Sequence, residues 1–164
     1  MRVAQLMSQP AITCSADDDL GRAAQLMWEH DCGSLPVVDH DGTVIGVITD
    51  RDVCMAAYTT GRPLSAISVR TAMSKDATTC RAEENVETAE QRMSEKRIRR
   101  LPVVDESRHP VGVLSISDLA RDAIQPRNRN TPAERGLTTT LAAVSEPRNG
   151  NKPAVAQRGA SAPS

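Results

Sequence analysis

The chain of 164 residues repeats itself. Sliding the sequence by 66 positions places LPVVD at 35–39 on LPVVD at 101–105, and no gap is needed. The match extends outward, so that Met7 falls on Met73. Internal repetition of this length constrains the fold more than any other signal in a sequence. The chain is therefore predicted to contain two units of the same structure.

Each repeat contains the same sequence signals for helices and strands, in the same order. In the first, acidic residues up to Asp19 offer oxygens for a helix N-cap, and apolar residues follow at helical spacing. Two short β-branched runs separated by turn residues then predict a hairpin, and a helix over 50–60 follows. The second repeat predicts the same elements, ending with a helix over 116–124. A brief strand near 12–14 or 78–80 should open each unit.

The predicted fold class is α/β (α+β), with the order β-α-β-β-α in each of two tandem units. The units are assigned to residues 3–61 and 68–124. Units of this size bury too little surface to be stable alone. They are expected to pack sheet against sheet, which leaves a crevice between them.

The composition changes after residue 124. From Pro126 onward six Lys/Arg stand against two Asp/Glu, and five of the ten prolines occur there. Such a segment buries too little apolar surface to offset the entropy of ordering, so 125–164 is predicted to be a disordered basic tail rich in Pro, Arg, Ser and Ala. A basic tail can contact nucleic acid or an acidic protein. A solvated extension is the favoured interpretation, and no nucleic-acid partner is expected.

The remaining bulk properties of the sequence narrow the range of possible functions and locations. With a net charge of −1 the chain is not a polycation, so its overall charge does not favour binding to nucleic acid or to an anionic membrane. No stretch approaches the roughly 18–20 apolar residues of a membrane span. The start lacks the apolar core of a secretory signal. Four dispersed cysteines without a C-x-x-C pair fit neither a zinc site nor a disulfide scaffold, so a cytoplasmic location and no metal are expected. No constellation for nucleophilic or acid–base catalysis recurs, and an enzyme is not expected.

The sharpest local motif is a hydroxyl residue three positions before an aspartate, at the end of a predicted strand. Thr49 precedes Asp52 in this way, and Ser115 precedes Asp118. One interpretation is a capping box at the start of a helix. The other is an anion site, because an exposed helix N-terminus can hold a phosphate while the carboxylate accepts ribose hydroxyls. The motif alone leaves both open.

The repeated motifs and the order of elements make each repeat resemble a CBS domain. The tandem resembles a CBS pair, or Bateman module. The motifs include GSLPVVDHDGTVIGVITDRDV in the first repeat and IRRLPVVDESRHPVGVLSISDLA in the second. The resemblance covers residues 3–124. It implies a pseudo-twofold pair, often dimerised, with adenine nucleotides in the clefts.

The resemblance also implies roles for individual residues. Phosphate would be contacted by the motif hydroxyls and by a basic residue just before LPVV, which is Arg100, with Arg99 beside it. Ribose would be contacted by the two motif aspartates. The residues implied are, for phosphate, Arg100, Ser115, Thr49 and Arg99; for ribose, Asp118 and Asp52; and for lining the cleft around the adenine, Ile12, Thr13, Cys14, Ser34, Pro36, Thr78, Thr79 and Pro102.

The two sites differ in charge. Residues 26–34 carry about −2 and residues 92–100 about +4. Ser34 occupies the position equivalent to Arg100, which departs from the family pattern. Since Arg grips phosphate in a bidentate manner, the stronger site is expected at Arg100 and the second motif. A solvated basic face is the other interpretation of this arginine cluster.

The function implied by the resemblance is regulatory. A nucleotide of the AMP, ADP or ATP class would bind, alone or with Mg²⁺ and without a covalent cofactor, and shift the geometry of the module. An unidentified regulated protein would read that shift in trans. A homodimer without a membrane partner is expected. S-adenosylmethionine, NAD-type ligands and cyclic dinucleotides also occur in the family, and the sequence does not distinguish among these ligands. The alternative is a structural protein-interaction module that binds no nucleotide.

Overall fold

The first unit forms around a four-stranded sheet. The structure is a computed structural model that describes residues 1–123, 136–137 and 140–141. Strand β1 is parallel to β2, which is antiparallel to β3, as a hairpin requires. The elements are β1 (Cys14–Ser15), α1 (Leu20–Glu29), β2 (Ser34–Val38), β3 (Val44–Thr49) and α2 (Asp50–Thr60).

The linker after the first repeat and the first residues of the second repeat add an edge strand to this sheet. A 3-10 turn (Leu64–Ala66) and the short helix α3 (Val69–Ala72) lead into β4 (Ser74–Lys75). Strand β4 is antiparallel to β3, which gives the order β1-β2-β3-β4. These three elements were not predicted from the sequence.

The second unit repeats the pattern with the sheet order β5-β6-β7. Leu101 pairs with Leu114 across its hairpin, as Leu35 pairs with Ile48 in the first. The predicted order β-α-β-β-α is confirmed in both units. The elements are β5 (Cys80–Arg81), α4 (Val86–Lys96), β6 (Arg100–Val104), β7 (Pro110–Ser115) and α5 (Ile116–Ala123).

Local sequence explains where the helices begin and end. Helix α1 begins after Asp19, whose side chain accepts a hydrogen bond from the Arg22 N–H at 2.9 Å. Helix α2 ends at Gly61 in the left-handed conformation, with φ of 64°, which glycine adopts without steric cost. Helix α4 ends in the same conformation at Arg97.

Two separate cores lie beneath the two sheets. Both are built from aliphatic residues, methionine and cysteine, as expected for a chain without phenylalanine. Leu20, Leu35 and Ile48 are fully buried in the first. Met93 and Leu101 are fully buried in the second.

The first residues of each repeat pack on the other unit. Val3 belongs to the second core, and Ser8 pairs with Val113 of β7 through two hydrogen bonds of 2.9 and 3.0 Å. Val69 belongs in turn to the first core, and Ser74 pairs with Val47 of β3. The structural units are therefore interlaced, whereas the sequence repeats 3–61 and 68–124 run in series.

Glycine permits this close approach. A Cβ added at Gly46 would lie 2.6 Å from the Ser74 carbonyl oxygen, and one at Gly112 would lie 2.8 Å from the Ser8 carbonyl oxygen. The sulfurs of Met73 and Met7 cover the same two positions at 2.9 and 2.8 Å. The crossing segments thus lie directly on backbone that carries no side chain.

The part of the C-terminal range that the structure describes is helical. Gly136, Leu137, Thr140 and Leu141 adopt this conformation, and Leu137 is only 8% exposed. At these four positions the structure differs from the predicted disordered tail. The rest of 125–164 lies outside the described residues. Within the described residues, none of the helices combines the length and apolar character needed to cross a bilayer.

Candidate functional site

The second Ser-x-x-Asp motif lies where β7 passes into α5. The Ser115 backbone N–H and hydroxyl both donate to Oδ2 of Asp118, at 2.8 and 2.5 Å. The Asp118 N–H returns a hydrogen bond to Ser115 Oγ at 3.3 Å. The pair therefore forms the reciprocal cap that the motif predicted.

The first motif has the same geometry between β3 and α2. The Thr49 N–H and hydroxyl donate to Oδ2 of Asp52 at 2.9 and 2.7 Å, and the Asp52 N–H donates to Thr49 Oγ1 at 3.2 Å. Both motifs thus place a hydroxyl and a carboxylate at a helix N-terminus. That end of a helix carries partial positive charge from its free N–H groups, which favours anions.

The two aspartates differ in their surroundings. Asp118 is 4% exposed, and its Oδ1 accepts a hydrogen bond from the Arg121 guanidinium. Ser8 Oγ also donates to this oxygen at 3.5 Å. Asp52 is half-buried. The second site is therefore more enclosed and brings together residues from both repeats.

The segments that cross between units place several predicted residues. Residues 8–13 run from the edge of β7 to β1, and residues 74–79 run from the edge of β3 to β5. Ile12 and Thr13 on the first crossing are half-buried, as are Thr78 and Thr79 on the second. Each crossing begins beside the strand that ends in a Ser/Thr-Asp cap.

Other predicted lining residues are less accessible. Ser34, Pro36 and Pro102 are buried within β2 and β6. Cys14 is 3% exposed in the first core, and burial raises the pKa of its thiol to about 12. Cys14 therefore has little surface to offer to a ligand.

Arg100 links the two units. Its backbone is the register partner of Ser115. Its guanidinium extends to the first unit, where a Cβ on Gly33 would lie 3.2 Å from Nη2 and 3.0 Å from the Asp50 carboxylate. Arg99 is exposed, and its carbonyl accepts the Ile116 N–H at 3.0 Å. The structure thus brings Ser115 and Asp118 together and places the Arg100 guanidinium beside Gly33 and Asp50.

Sequence reasoning missed a cavity that is lined by residues of the first unit and by Arg100 of the second. It has a volume of about 460 Å³ and lies against α1 and α2. Trp28, which lines it, is 85% exposed, and Tyr58 of α2 is 74% exposed. The one tryptophan of the chain, placed on a helix that lines this cavity, was the available signal. The lining residues are Ala24, Met27, Trp28, Asp31, Cys32, Gly33, Asp50, Val53 and Arg100.

The family model described as "CBS domain" matches residues 3–58 and again residues 68–124. The chain belongs to the CBS domain family. This confirms the resemblance inferred from the repeated motifs.

Curated relatives of two kinds are similar to this CBS pair. CBS domain-containing protein YhcV of Bacillus subtilis is 34% identical over 118 residues, which is 72% of this chain and 82% of YhcV. Inosine-5'-monophosphate dehydrogenase of Methanocaldococcus jannaschii is 29% identical over 123 residues, 75% of this chain but 24% of that enzyme. The chain thus spans most of one relative and about a quarter of the other.

Solved CBS pairs share the architecture. The CBS domain pair of protein MJ0100, solved in complex with 5'-methylthioadenosine and S-adenosyl-L-methionine, superposes with a TM-score of 0.67 at 28% identity. The superposition covers 74% of this chain and 94% of that one. That neighbour binds adenosine-containing ligands.

Proposed function

We propose that this CBS pair is a regulatory module that binds an adenosine-containing nucleotide between its repeats and signals to another protein. The proposal rests on one observation: two equivalent hydroxyl–carboxylate caps at helix N-termini, each beside a segment that crosses between units. The AMP, ADP and ATP class is the proposed ligand. The methylthioadenosine and S-adenosylmethionine complex of the similar CBS pair supports a ligand with an adenosine part.

The chemistry of the caps suits a nucleotide. The free N–H groups at the start of α5 or α2 would receive a phosphate, with Ser115 or Thr49 as the adjacent hydroxyl. The carboxylate of Asp118 or Asp52 would accept the two ribose hydroxyls, which are hydrogen-bond donors. Arg99 and Arg100 would add positive charge beside β6.

Binding at Asp118 would require an exchange of partners. Its ion pair with Arg121 is exposed on the arginine side, where the side chain is 70% accessible. Because the arginine end is solvated, its guanidinium can turn into water, and the ribose hydroxyls would replace it as hydrogen-bond donors to the buried carboxylate. The long 3.5 Å contact with Ser8 is weak. A ribose could therefore take both places without unfolding the cap.

A nucleotide that contacts both repeats would couple their relative positions. Ser8 reaches Asp118 from the first repeat, and Arg100 reaches the first unit from the second. A ligand that binds one arrangement more tightly shifts the population toward it. We propose that a regulated protein reads this shift in trans, and that the role is binding rather than catalysis.

The decisive experiment is calorimetry and thermal unfolding of the full chain with AMP, ADP and ATP, each with and without Mg²⁺. S-Adenosylmethionine and methylthioadenosine serve as comparison ligands. A saturable heat and a rise in Tm with at least one adenosine ligand would support the proposal. No heat and no shift at millimolar concentration of every ligand would refute it.

A protein-interaction module without nucleotide binding is the second candidate. The exposed Trp28 side chain at the cavity favours it, and Tyr58 and Met55 of α2 are exposed as well, because exposed apolar surface can mark an interaction site. The proposed homodimer would use this face. Light scattering of the wild type and of Trp28→Glu separates a dimer from a monomer, and equal masses would count against this surface.

A further inference from the structure

The described C-terminal residues fill a groove on the second unit. Leu137 is 8% exposed and Thr140 is 3% exposed. Leu137 belongs to the second core, together with Met93 of α4 and with Leu119 and Ala123 of α5. A leucine from beyond the repeats thus belongs to the core to which these two helices contribute. We call Gly136, Leu137, Thr140 and Leu141 the C-terminal segment.

The first unit has the equivalent surface between α1 and α2, and the described residues leave it open. Shifting Glu90, Met93 and Leu119 back by 66 positions gives Ala24, Met27 and Val53. Those three residues line the cavity of about 460 Å³ between α1 and α2. No described residue fills that cavity, whereas on the second unit Leu137 is buried in the same cluster as the equivalent residues Met93 and Leu119. The internal duplication therefore supplies its own comparison of a filled and an empty groove.

The segment fits the second groove closely. A Cβ added at Gly136 would lie 2.8 Å from Oε2 of Glu90, so the backbone passes directly over this carboxyl group. Glu90 is only 7% exposed beneath it. The first unit has Ala24 at this position and lacks the carboxyl group. The segment therefore matches a feature that only the second groove possesses.

We propose that the C-terminal segment is an intramolecular cap. It occupies the α4–α5 groove with Leu137 and keeps other protein chains out of it, while the α1–α2 groove stays open. The duplicated module thereby acquires one closed and one open helix face. This inference goes beyond nucleotide sensing and does not depend on it.

The test compares two substitutions in the full chain. Leu137→Asp places a charge in the groove and should release the segment. Leu141→Asp makes the same change one turn further on, at a side chain that is 39% exposed, and serves as the matched control. Hydrogen exchange of the α4 amides should quicken by about 10-fold or more in Leu137→Asp and hardly at all in Leu141→Asp. Equal exchange in both variants would overturn the proposal.

A peptide measures access to the groove directly. A fluorescent synthetic peptide of residues 130–145 should bind the Leu137→Asp chain at least about 10-fold more tightly than the wild type, because the wild-type groove is already filled. The same peptide carrying Leu137→Asp should bind neither. Equal binding to both chains, or to neither, would contradict the cap. If Leu137→Asp abolishes cooperative unfolding, Leu137→Ala takes its place in the same comparisons.

Discussion

Ser8 Oγ lies 3.5 Å from Oδ1 of Asp118, although 110 positions separate the two residues. The contact exists because the segment before β1 pairs with β7 of the other unit. The cap of the second unit is thus built next to the beginning of the chain. A ligand held there would touch both repeats.

The two aspartates should contribute unequally to nucleotide binding. Asp118→Ala is expected to weaken the affinity by about 10-fold or more, because it removes charge-assisted hydrogen bonds at the enclosed site. Asp52→Ala should have a smaller effect, since Asp52 is only half-buried and its site is less enclosed. Calorimetry with the nucleotide that binds the wild type most tightly provides the measurement.

The stability of each variant must also be measured, because each substitution removes the carboxylate half of a capping box. Both variants should lose about 1 kcal/mol of unfolding free energy. Affinities must therefore be measured well below the Tm of both. If the two variants and the wild type bind equally, neither aspartate contacts the ligand.

Gly46 and Gly112 should not tolerate alanine. Each methyl group would meet a carbonyl oxygen at 2.6 or 2.8 Å, so the crossing segment must move away. We expect a loss of about 1–3 kcal/mol in urea unfolding for each variant. Gly61→Ala is the control: a Cβ there meets nothing within 4 Å, so only its positive φ costs about 1 kcal/mol. A loss no greater than that of the control would contradict the close approach.

Glu90 should make stability depend on pH. Burial, helped by the nearby Glu87 carboxylate, raises the pKa of Glu90 from 4.5 to about 7. A raised folded-state pKa gives stability that is complete below 4.5 and is lost as the pH rises through 7. Glu90→Gln should therefore gain up to about 3 kcal/mol over the wild type between pH 4.5 and 8. Urea unfolding of both chains across this range is the measurement, and parallel pH profiles would exclude the effect.

The cysteines should differ sharply in reactivity. Burial raises the pKa of the Cys14 and Cys80 thiols to about 12, so little thiolate forms at pH 8. Cys54 is exposed and should be alkylated first, while Cys32 is half-buried. Mass spectrometry after brief treatment with N-ethylmaleimide should locate the label on Cys54, with Cys14 and Cys80 labelled only after denaturation. Early labelling of Cys14 would show that the first core opens readily.

Local signals were sufficient for the repeated elements. The Asp19 cap, the two LPVV runs and the Ser/Thr-x-x-Asp motifs each specify structure within a few residues, and the helices and hairpins appear where they were predicted. The caps were found for the same reason, because both partners lie three positions apart. The constant offset showed that the pattern is duplicated, and the resemblance of the two motif stretches to CBS domains indicated the family.

Long-range relationships could not be obtained in this way. A constant offset of 66 shows that Met7 and Met73 are equivalent. The offset would be the same whether each methionine packs on its own unit or on the other unit, so it does not reveal the crossing. The reach of Arg100 to Gly33 has no sequence signature for that reason. The burial of Leu137 was missed because the tail composition, averaged over its length, outweighed a single leucine.

Because the first residues of each repeat pack on the other unit, the fold constrains how a duplicated chain of this kind can evolve. A lone first repeat folding in this manner would leave β3 without β4 and its core without Val69. A lone second repeat would leave β7 without its bridge to Ser8 and its core without Val3. An ancestor with one repeat would have needed to pack its N-terminal residues on a second copy of the same chain, and to receive those of that copy in return. Gene fusion would then have turned that exchange between molecules into one within a single polypeptide, and cutting the chain between the repeats should return two fragments that fold only as a mixture.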